Sequence, residues 1–140
     1  MTTPISRDRA SALFFDGTAR GELLLRRCEG CRHLAAPPVT VCPTCASTDL
    51  VWQRADGRAT LVCWAIRRAA DTETVAGIVE LREGPWLRAR VVGCAPERLA
   101  AGLPLRVRFD RPAVTDPAAP APEAVPVFTP DEQRRTTPDE

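Results

Sequence analysis

Four of the six cysteines lie in one short stretch, as two CxxC pairs. Residues 28–45 read CEGCRHLAAPPVTVCPTC, with Cys28 and Cys31 in the first pair and Cys42 and Cys45 in the second. Two cysteines separated by two residues can direct both sulfurs to one centre, and the ten residues between the pairs let the chain turn back. These sulfurs constrain the fold most, because the segment around them contains no aromatic side chain and has no core of its own.

A disulfide framework, an iron centre and a zinc site are the three possible uses of these sulfurs. The chain has no apolar run long enough for a signal peptide or a membrane span. We therefore expect a cytoplasmic protein without membrane segments, and a reducing cytosol disfavours disulfides. One structural zinc ion per chain, held by the four cysteines at about 2.3 Å, fits best. A rubredoxin-like iron electron carrier is the alternative, because iron accepts the same geometry.

The remaining histidine and cysteines are expected to play minor roles. His33 follows the first pair, but four thiolates already complete a tetrahedral shell, so we expect it at the surface or behind the ligands. Cys63 and Cys94 lie in or beside apolar strands and are expected to be small buried residues. Neither Cys63 nor Cys94 has a histidine nearby in sequence, so the pattern does not indicate a nucleophile.

Length and charge limit the class of protein. A chain of 140 residues suits one compact body with a small added module. All 19 basic residues are arginine, and 18 acidic residues leave a formal charge of +1. No overall positive field is present to attract nucleic acid or an anionic membrane.

Hydrophobic patterning predicts a mainly β protein. Ser11 is expected to cap a short helix that buries Leu13, Phe14 and Phe15. Short apolar runs bounded by turn signals then predict strands at 22–27, 50–54, 59–67, 74–82, 86–92 and 103–109, with a final edge strand at 125–128. The predicted organisation is an N-terminal segment at 1–21, a zinc ribbon at 22–49, a barrel at 50–111, a Pro/Ala arm with a closing strand at 112–130, and a disordered tail at 131–140.

Several ordered motifs together resemble a known family. They are FFDG at 14–17, the CxxC…CPxC ribbon, VELREGPWLRARVVGC at 79–94, PERLAAGLPLRVRF at 96–109 and PVFTP at 126–130. The chain is similar, from about Phe14 to Pro130, to the zinc-ribbon/OB-fold acyl-CoA-associated proteins known as domain of unknown function thirty-five. The resemblance implies a short N-terminal helix, a rubredoxin-like zinc ribbon and a five-stranded OB-fold barrel.

The same resemblance implies a function. Members of that family accompany thiolase-superfamily enzymes, including thiolases, aldolases of the lipid-transfer type and acyltransferases, whose catalytic residues lie in the partner. This chain would then be a non-catalytic accessory subunit that supports assembly and acyl-CoA binding at a shared site. The single histidine, next to a filled metal site, agrees with a chain that is not itself an enzyme. A nucleic-acid-binding OB/zinc-ribbon module is the alternative, although Trp52, Trp64 and Trp86 are expected to pack in the core or an interface.

Two further features concern ligand binding. Arg88, Arg90, Arg106 and Arg108 alternate with apolar residues and are expected to form an exposed stripe on adjacent strands. The stripe would bind coenzyme A phosphates or an acidic partner, or would simply be a solvated barrel face. The loop at 69–73, AADTE, is shorter than the aromatic-proline loop usual in the family, which puts any ligand contact by that loop in doubt.

Overall fold

The computed structural model describes residues 11–111 and 122–131. The predictions for residues 1–10, for the arm at 112–121 and for the tail at 132–140 lie outside the described residues. The elements are one helix, α1 (Ala12–Ala19), and eight strands, β1 (Leu24–Cys28), β2 (Leu34–Ala35), β3 (Leu50–Arg54), β4 (Arg58–Ala69), β5 (Thr72–Leu81), β6 (Trp86–Val91), β7 (Pro104–Asp110) and β8 (Val125–Pro130), with a 3-10 turn at Pro96–Arg98. No helix of the described chain is long and apolar enough to cross a membrane.

The N-terminal unit is a helix on a three-stranded sheet of order β2-β1-β3. The helix approaches β1 closely at Gly17, where a Cβ atom would lie 2.7 Å from Leu24 Cδ1. Phe15 is buried as predicted, but Leu13 is 56% exposed, and the Ser11 side chain makes no capping hydrogen bond to the helix. The buried side of so short a helix is defined by Phe15 and Thr18, three residues apart, and Leu13 lies on the opposite side.

Strand β3 belongs to this sheet, whereas the sequence suggested that residues 50–54 open the barrel. It runs antiparallel to β1, from the pair Leu24 and Arg54 to the pair Cys28 and Leu50. The reason is the position of the second CxxC pair, which returns the chain next to the end of β1. The barrel therefore begins after the Asp56-Gly57 turn, with β4.

The second unit contains the closed barrel, of strand order β4-β5-β6-β8-β7. Its fully buried side chains include Leu61, Val79, Leu81, Leu105 and Phe128, and the predicted alternation of buried and exposed positions along β6 and β7 is observed. Strand β8 runs parallel to β6, with Val91 beside Phe128. The sequence predicted β8 as an edge strand; it instead lies between β6 and β7 and closes the barrel.

A long hairpin is formed by β4 and β5. Its register shifts between Leu61 and Cys63, so that Cys63 faces Ile78 and is exposed, contrary to the expectation of a buried cysteine. Cys94 is half-buried. The shortened loop at 69–73 is a tight turn, stabilised by an ion pair of 2.6 Å between Arg68 and Glu73.

Substituting Gly57 tests the turn that leads into the barrel. Gly57 has φ +87°, and a Cβ atom there would lie 2.7 Å from Val107 Cγ1. We expect Gly57→Ala to lower the free energy of unfolding by about 2–4 kcal/mol, from left-handed backbone strain and overpacking. Gly102→Ala is the matched control, because Gly102 has the same φ with nothing within 4 Å of its Cβ position, and should cost only about 1–2 kcal/mol. Equal losses in denaturant titrations would contradict the packing argument.

The carboxylate of Asp56, in the same turn, makes the stability of the protein depend on pH. Desolvation raises the pKa of Asp56, but the N–H of Arg58, at 2.9 Å, and the Arg82 guanidinium outweigh it and hold the pKa below its usual value. A pKa lower in the folded state means that the stabilisation is complete above the unfolded value of about 4 and is lost as the pH falls through the folded value.

We therefore expect Asp56→Asn to reduce stability by about 1 kcal/mol or less at neutral pH, since the pair is partly exposed. The difference from the unsubstituted protein should disappear once the pH falls below the lowered pKa. Thermal unfolding across the acidic range measures it, with Asp71→Asn on the β4–β5 turn as a control of equal charge change. A loss for Asp56→Asn that stays constant down to the most acid pH would be inconsistent with this account.

Candidate metal centre

The first CxxC pair forms a tight knuckle at the end of β1. The N–H of Arg32 donates to the carbonyl of Cys28 over 2.8 Å, and the N–H of Cys28 donates to the carbonyl of His33 over 2.9 Å. Arg32 adopts a left-handed conformation, with φ 67°. These bonds turn the chain back on itself and bring Cys31 to the same side as Cys28.

The second knuckle repeats the first, bond for bond. The N–H of Ala46 donates to the carbonyl of Cys42 over 2.9 Å, and the N–H of Cys42 donates to the carbonyl of Ser47 over 2.8 Å. Ala46 has φ 64°, close to the value at Arg32. Each left-handed non-glycine residue costs about 1 kcal/mol or more, so the repetition of this geometry indicates that both knuckles serve one centre that offsets the strain.

The four sulfurs come together as the spacing predicts. The Sγ atoms of Cys28 and Cys45 are 3.5 Å apart and those of Cys31 and Cys42 are 3.6 Å apart, and all four lie within 4.8 Å of one another. A tetrahedral ion with metal–sulfur bonds of about 2.3 Å requires sulfur separations of about 3.8 Å. Disulfide bonds are excluded, since their sulfurs are about 2 Å apart and all six cysteines are free.

The backbone favours negative charge on some of these sulfurs. The N–H groups of Cys45 and Thr44 lower the pKa of Cys42 to about 6, against the opposing effect of desolvation, and the N–H of Cys31 lowers the pKa of Cys28.

The remaining sulfurs resist ionisation. Although the N–H of His33 acts in the other direction, desolvation and the neighbouring sulfurs raise the pKa of Cys31 to about 12. Four thiolates in one site repel each other, and a divalent cation at the centre removes that repulsion. The donor set therefore fits a thiophilic metal ion.

The His33 side chain takes no part in the cluster and is exposed. Only the backbone of His33 contributes: its carbonyl oxygen accepts the N–H of Cys28, and its N–H favours the thiolate of Cys31. The four cysteines alternate in burial, with Cys28 and Cys42 buried and Cys31 and Cys45 exposed. A shell of four sulfurs leaves no open position on a tetrahedral ion, so this arrangement suits a structural metal.

The arginines predicted to form one stripe are divided into two pairs. Arg88 and Arg90 are exposed on β6, and Arg106 and Arg108 are exposed on β7. The expectation of adjacent strands is wrong, because β8 closes the barrel between β6 and β7. Arg106 instead faces Arg58 of β4. Binding of coenzyme A phosphates by these arginines stays a prediction.

Two of the three tryptophans are exposed, so of the core and interface packing expected from the sequence, core packing is wrong for these two. Trp52 is half-buried, with the Arg26 guanidinium 4.2 Å from its ring centroid, but Trp86 is 56% exposed and Trp64 is 37% exposed. The sequence contained the signal for Trp86, because the alternation in WLRARV places it on the same face as Arg88 and Arg90. Trp64 lies opposite Gly77 of β5, on the same side as the buried Val75 and Val79, and the sequence contained no signal for its exposure.

Two family models match the chain in sequence. The ChsH2 rubredoxin-like zinc ribbon domain matches residues 15–51, and the ChsH2 C-terminal OB-fold domain matches residues 52–110. The boundary between the two matches lies within β3. Both halves of the predicted architecture are therefore confirmed, in the predicted order.

Solved structures show the same fold. The chain is similar to a chain of an Ltp2-ChsH2(DUF35) aldolase, with 28% identity and a TM-score of 0.72, covering 90% of this chain and 98% of that one. A crystal structure of a protein of unknown function from the DUF35 family of Sulfolobus solfataricus gives a TM-score of 0.58 over 71% of this chain and 77% of that one. At 13% identity the second likeness concerns the fold alone.

A relative in Thermomonospora curvata is described as a probable enoyl-CoA hydratase alpha subunit. It is 30% identical to this chain over 103 residues, which cover 70% of the chain but 32% of the relative. The chain thus spans about a third of the length of that relative. From the consecutive zinc-ribbon and OB-fold matches and the structural likeness, the chain belongs to the ChsH2 (DUF35) family.

Proposed function

We propose that this chain is a non-catalytic, zinc-containing accessory subunit of a thiolase-superfamily enzyme that acts on acyl-CoA thioesters. It supports assembly of the complex and contributes to the acyl-CoA site, while the partner subunit supplies the catalytic groups. One observation carries the proposal: the chain corresponds to 98% of a chain in the Ltp2-ChsH2(DUF35) aldolase, at 28% identity.

The metal centre supports an accessory role. Four sulfurs complete a tetrahedral shell, which leaves the ion no position for water or substrate. Such an ion stabilises a fold rather than activating a nucleophile. The single histidine of the sequence is exposed next to this centre, and is poorly placed as a general base for chemistry elsewhere.

The substrate class is supported by the named relatives. The Thermomonospora curvata protein is described as a subunit of an enzyme acting on enoyl-CoA, and the structural relative is part of an aldolase. The first name specifies a CoA thioester, and the second specifies an aldolase. Acyl-CoA thioesters are the substrate class that the first relative and the family resemblance favour.

Zinc is the ion that we propose for the centre. We expect one zinc per chain by elemental analysis and no visible absorbance. Cys42→Ser should lose the ion, because three thiolates no longer complete the four-sulfur shell. Cys63→Ser is the control, since Cys63 is exposed and outside the cluster, and should keep its zinc. Stoichiometric iron with visible absorbance would support the electron-carrier alternative instead.

Co-expression with thiolase-like subunits encoded in the same genome tests the accessory role. We expect a stable complex in size-exclusion chromatography and turnover of acyl-CoA only when the partner is present. This chain alone should be inactive, because catalysis is assigned to the partner. Turnover by the isolated chain, or failure to associate with every such subunit, would contradict the proposal.

A further inference from the structure

The outer face of β4, β5 and β6 has an apolar centre. Cys63 lies directly opposite Ile78, and Ala65 lies directly opposite Ala76. Residues two apart on a strand share a face, so these four side chains form a contiguous group, here called the apolar block. Cys63, Ala65 and Ala76 are exposed and Ile78 is half-buried.

The apolar block faces away from the barrel interior. The alternate positions on β5, Val75 and Val79, are 7% and 0% exposed and face the barrel interior. An antiparallel strand with one buried face usually carries polar residues on the other. Here the solvent side of the hairpin is apolar where polar side chains would be expected.

Arginines surround the apolar block. Arg88 is opposite Ile78 and Arg90 is opposite Ala76 on β6, and Arg67 follows Ala65 along the same face of β4. Within residues 11–111 and 122–131 none of these three arginines forms an ion pair. These exposed positive charges therefore remain available to carboxylates of another molecule.

One end of the face carries an exposed aromatic ring. Trp86 is 56% exposed and lies opposite Glu80. Glu80 is the single acidic residue at the outward-facing positions of this face, counting β4 from Cys63 onward, β5 as far as Glu80, and β6. All of these positions lie in the part of the chain that the structure describes. An apolar centre with Trp and Arg around it has the composition of protein–protein interfaces, in which these two residue types are enriched.

The block also reaches an open sheet edge. Strand β4 pairs with β7 only over Arg58–Thr60, and a last contact joins Leu61 to the loop at Leu103. Beyond Leu61, β4 pairs with β5 alone in the described part of the chain. An exposed edge of this length is a liability that proteins usually cover.

We infer that this outer face docks a protein surface with small apolar side chains at its centre and carboxylates at its rim, and that the enzyme subunit of the proposed complex supplies it. The inference rests on the proposed function. Charge complementarity selects the occupant, since an arginine rim without bound acids fits an acidic rim. A nucleic-acid strand fits less well, because it would place phosphates over the apolar block and has only Trp86 on this face for stacking.

Affinity measurements with the co-purified thiolase-like subunit test the inference. Ala76→Glu places a charge in the centre of the block, and we expect binding to weaken by at least about tenfold. Arg90→Glu reverses a rim charge and should slow association and reduce its dependence on salt. Arg58→Glu is the matched control, because Arg58 is exposed on β4 but faces Arg106 at the seam with β7. The affinity of this variant for the thiolase-like subunit should stay within about twofold of that of the unsubstituted chain.

The possible outcomes separate the two claims. Unfolding midpoints and zinc content equal to those of the unsubstituted protein show that each variant is folded. A complex that forms with unchanged affinity in both Ala76→Glu and Arg90→Glu overturns the docking face and leaves the accessory role standing. Absence of any complex with the unsubstituted chain overturns the proposed function and the docking face together. Tight binding of a labelled single-stranded oligonucleotide that Arg90→Glu abolishes would assign the face to nucleic acid instead.

Discussion

Convergence of four sulfurs on one centre is the constraint on which the ribbon depends. The segment that carries them has no phenylalanine, tyrosine or tryptophan, and each knuckle contains a left-handed non-glycine residue. A bound ion contributes on the order of 10 kcal/mol to the folding of such a site, which exceeds the cost of both strained residues. By joining the two knuckles, it also sets where β3 returns beside β1 and hence where the ribbon ends.

The barrel depends instead on closure by a strand that is distant in sequence. Strand β8 inserts between β6 and β7, beside Val91 of β6, and its Phe128 is fully buried. Closure removes edges from most of the sheet. In the described part of the chain, the distal part of β4 stays unpaired on one side, and it coincides with the apolar block and its arginines. The proposed accessory role would use this open face as the surface for the partner.

The sequence predicted the features that depend on local spacing and periodicity. The CxxC pairs predicted the cysteine cluster, and alternation in β6 and β7 predicted which side chains point inward. The errors concern pairing between distant strands: β3 was expected in the barrel, β8 at an edge, and Arg88 and Arg106 on neighbouring strands. Strand order depends on contacts between residues far apart in sequence, which periodicity does not encode. Cys63 was misassigned because one irregularity in the pairing of β4 changes the face of the residues that follow.

In the proposed function, a metal-stabilised ribbon and a barrel together support the chemistry of a different subunit. Native mass spectrometry of the co-expressed complex tests this claim most directly, because one spectrum reports both the metal and the partner. We expect a species whose mass equals that of the enzyme subunits plus this chain, with one zinc ion for each copy of the chain. A metal-free, folded chain that appears only on its own would contradict it.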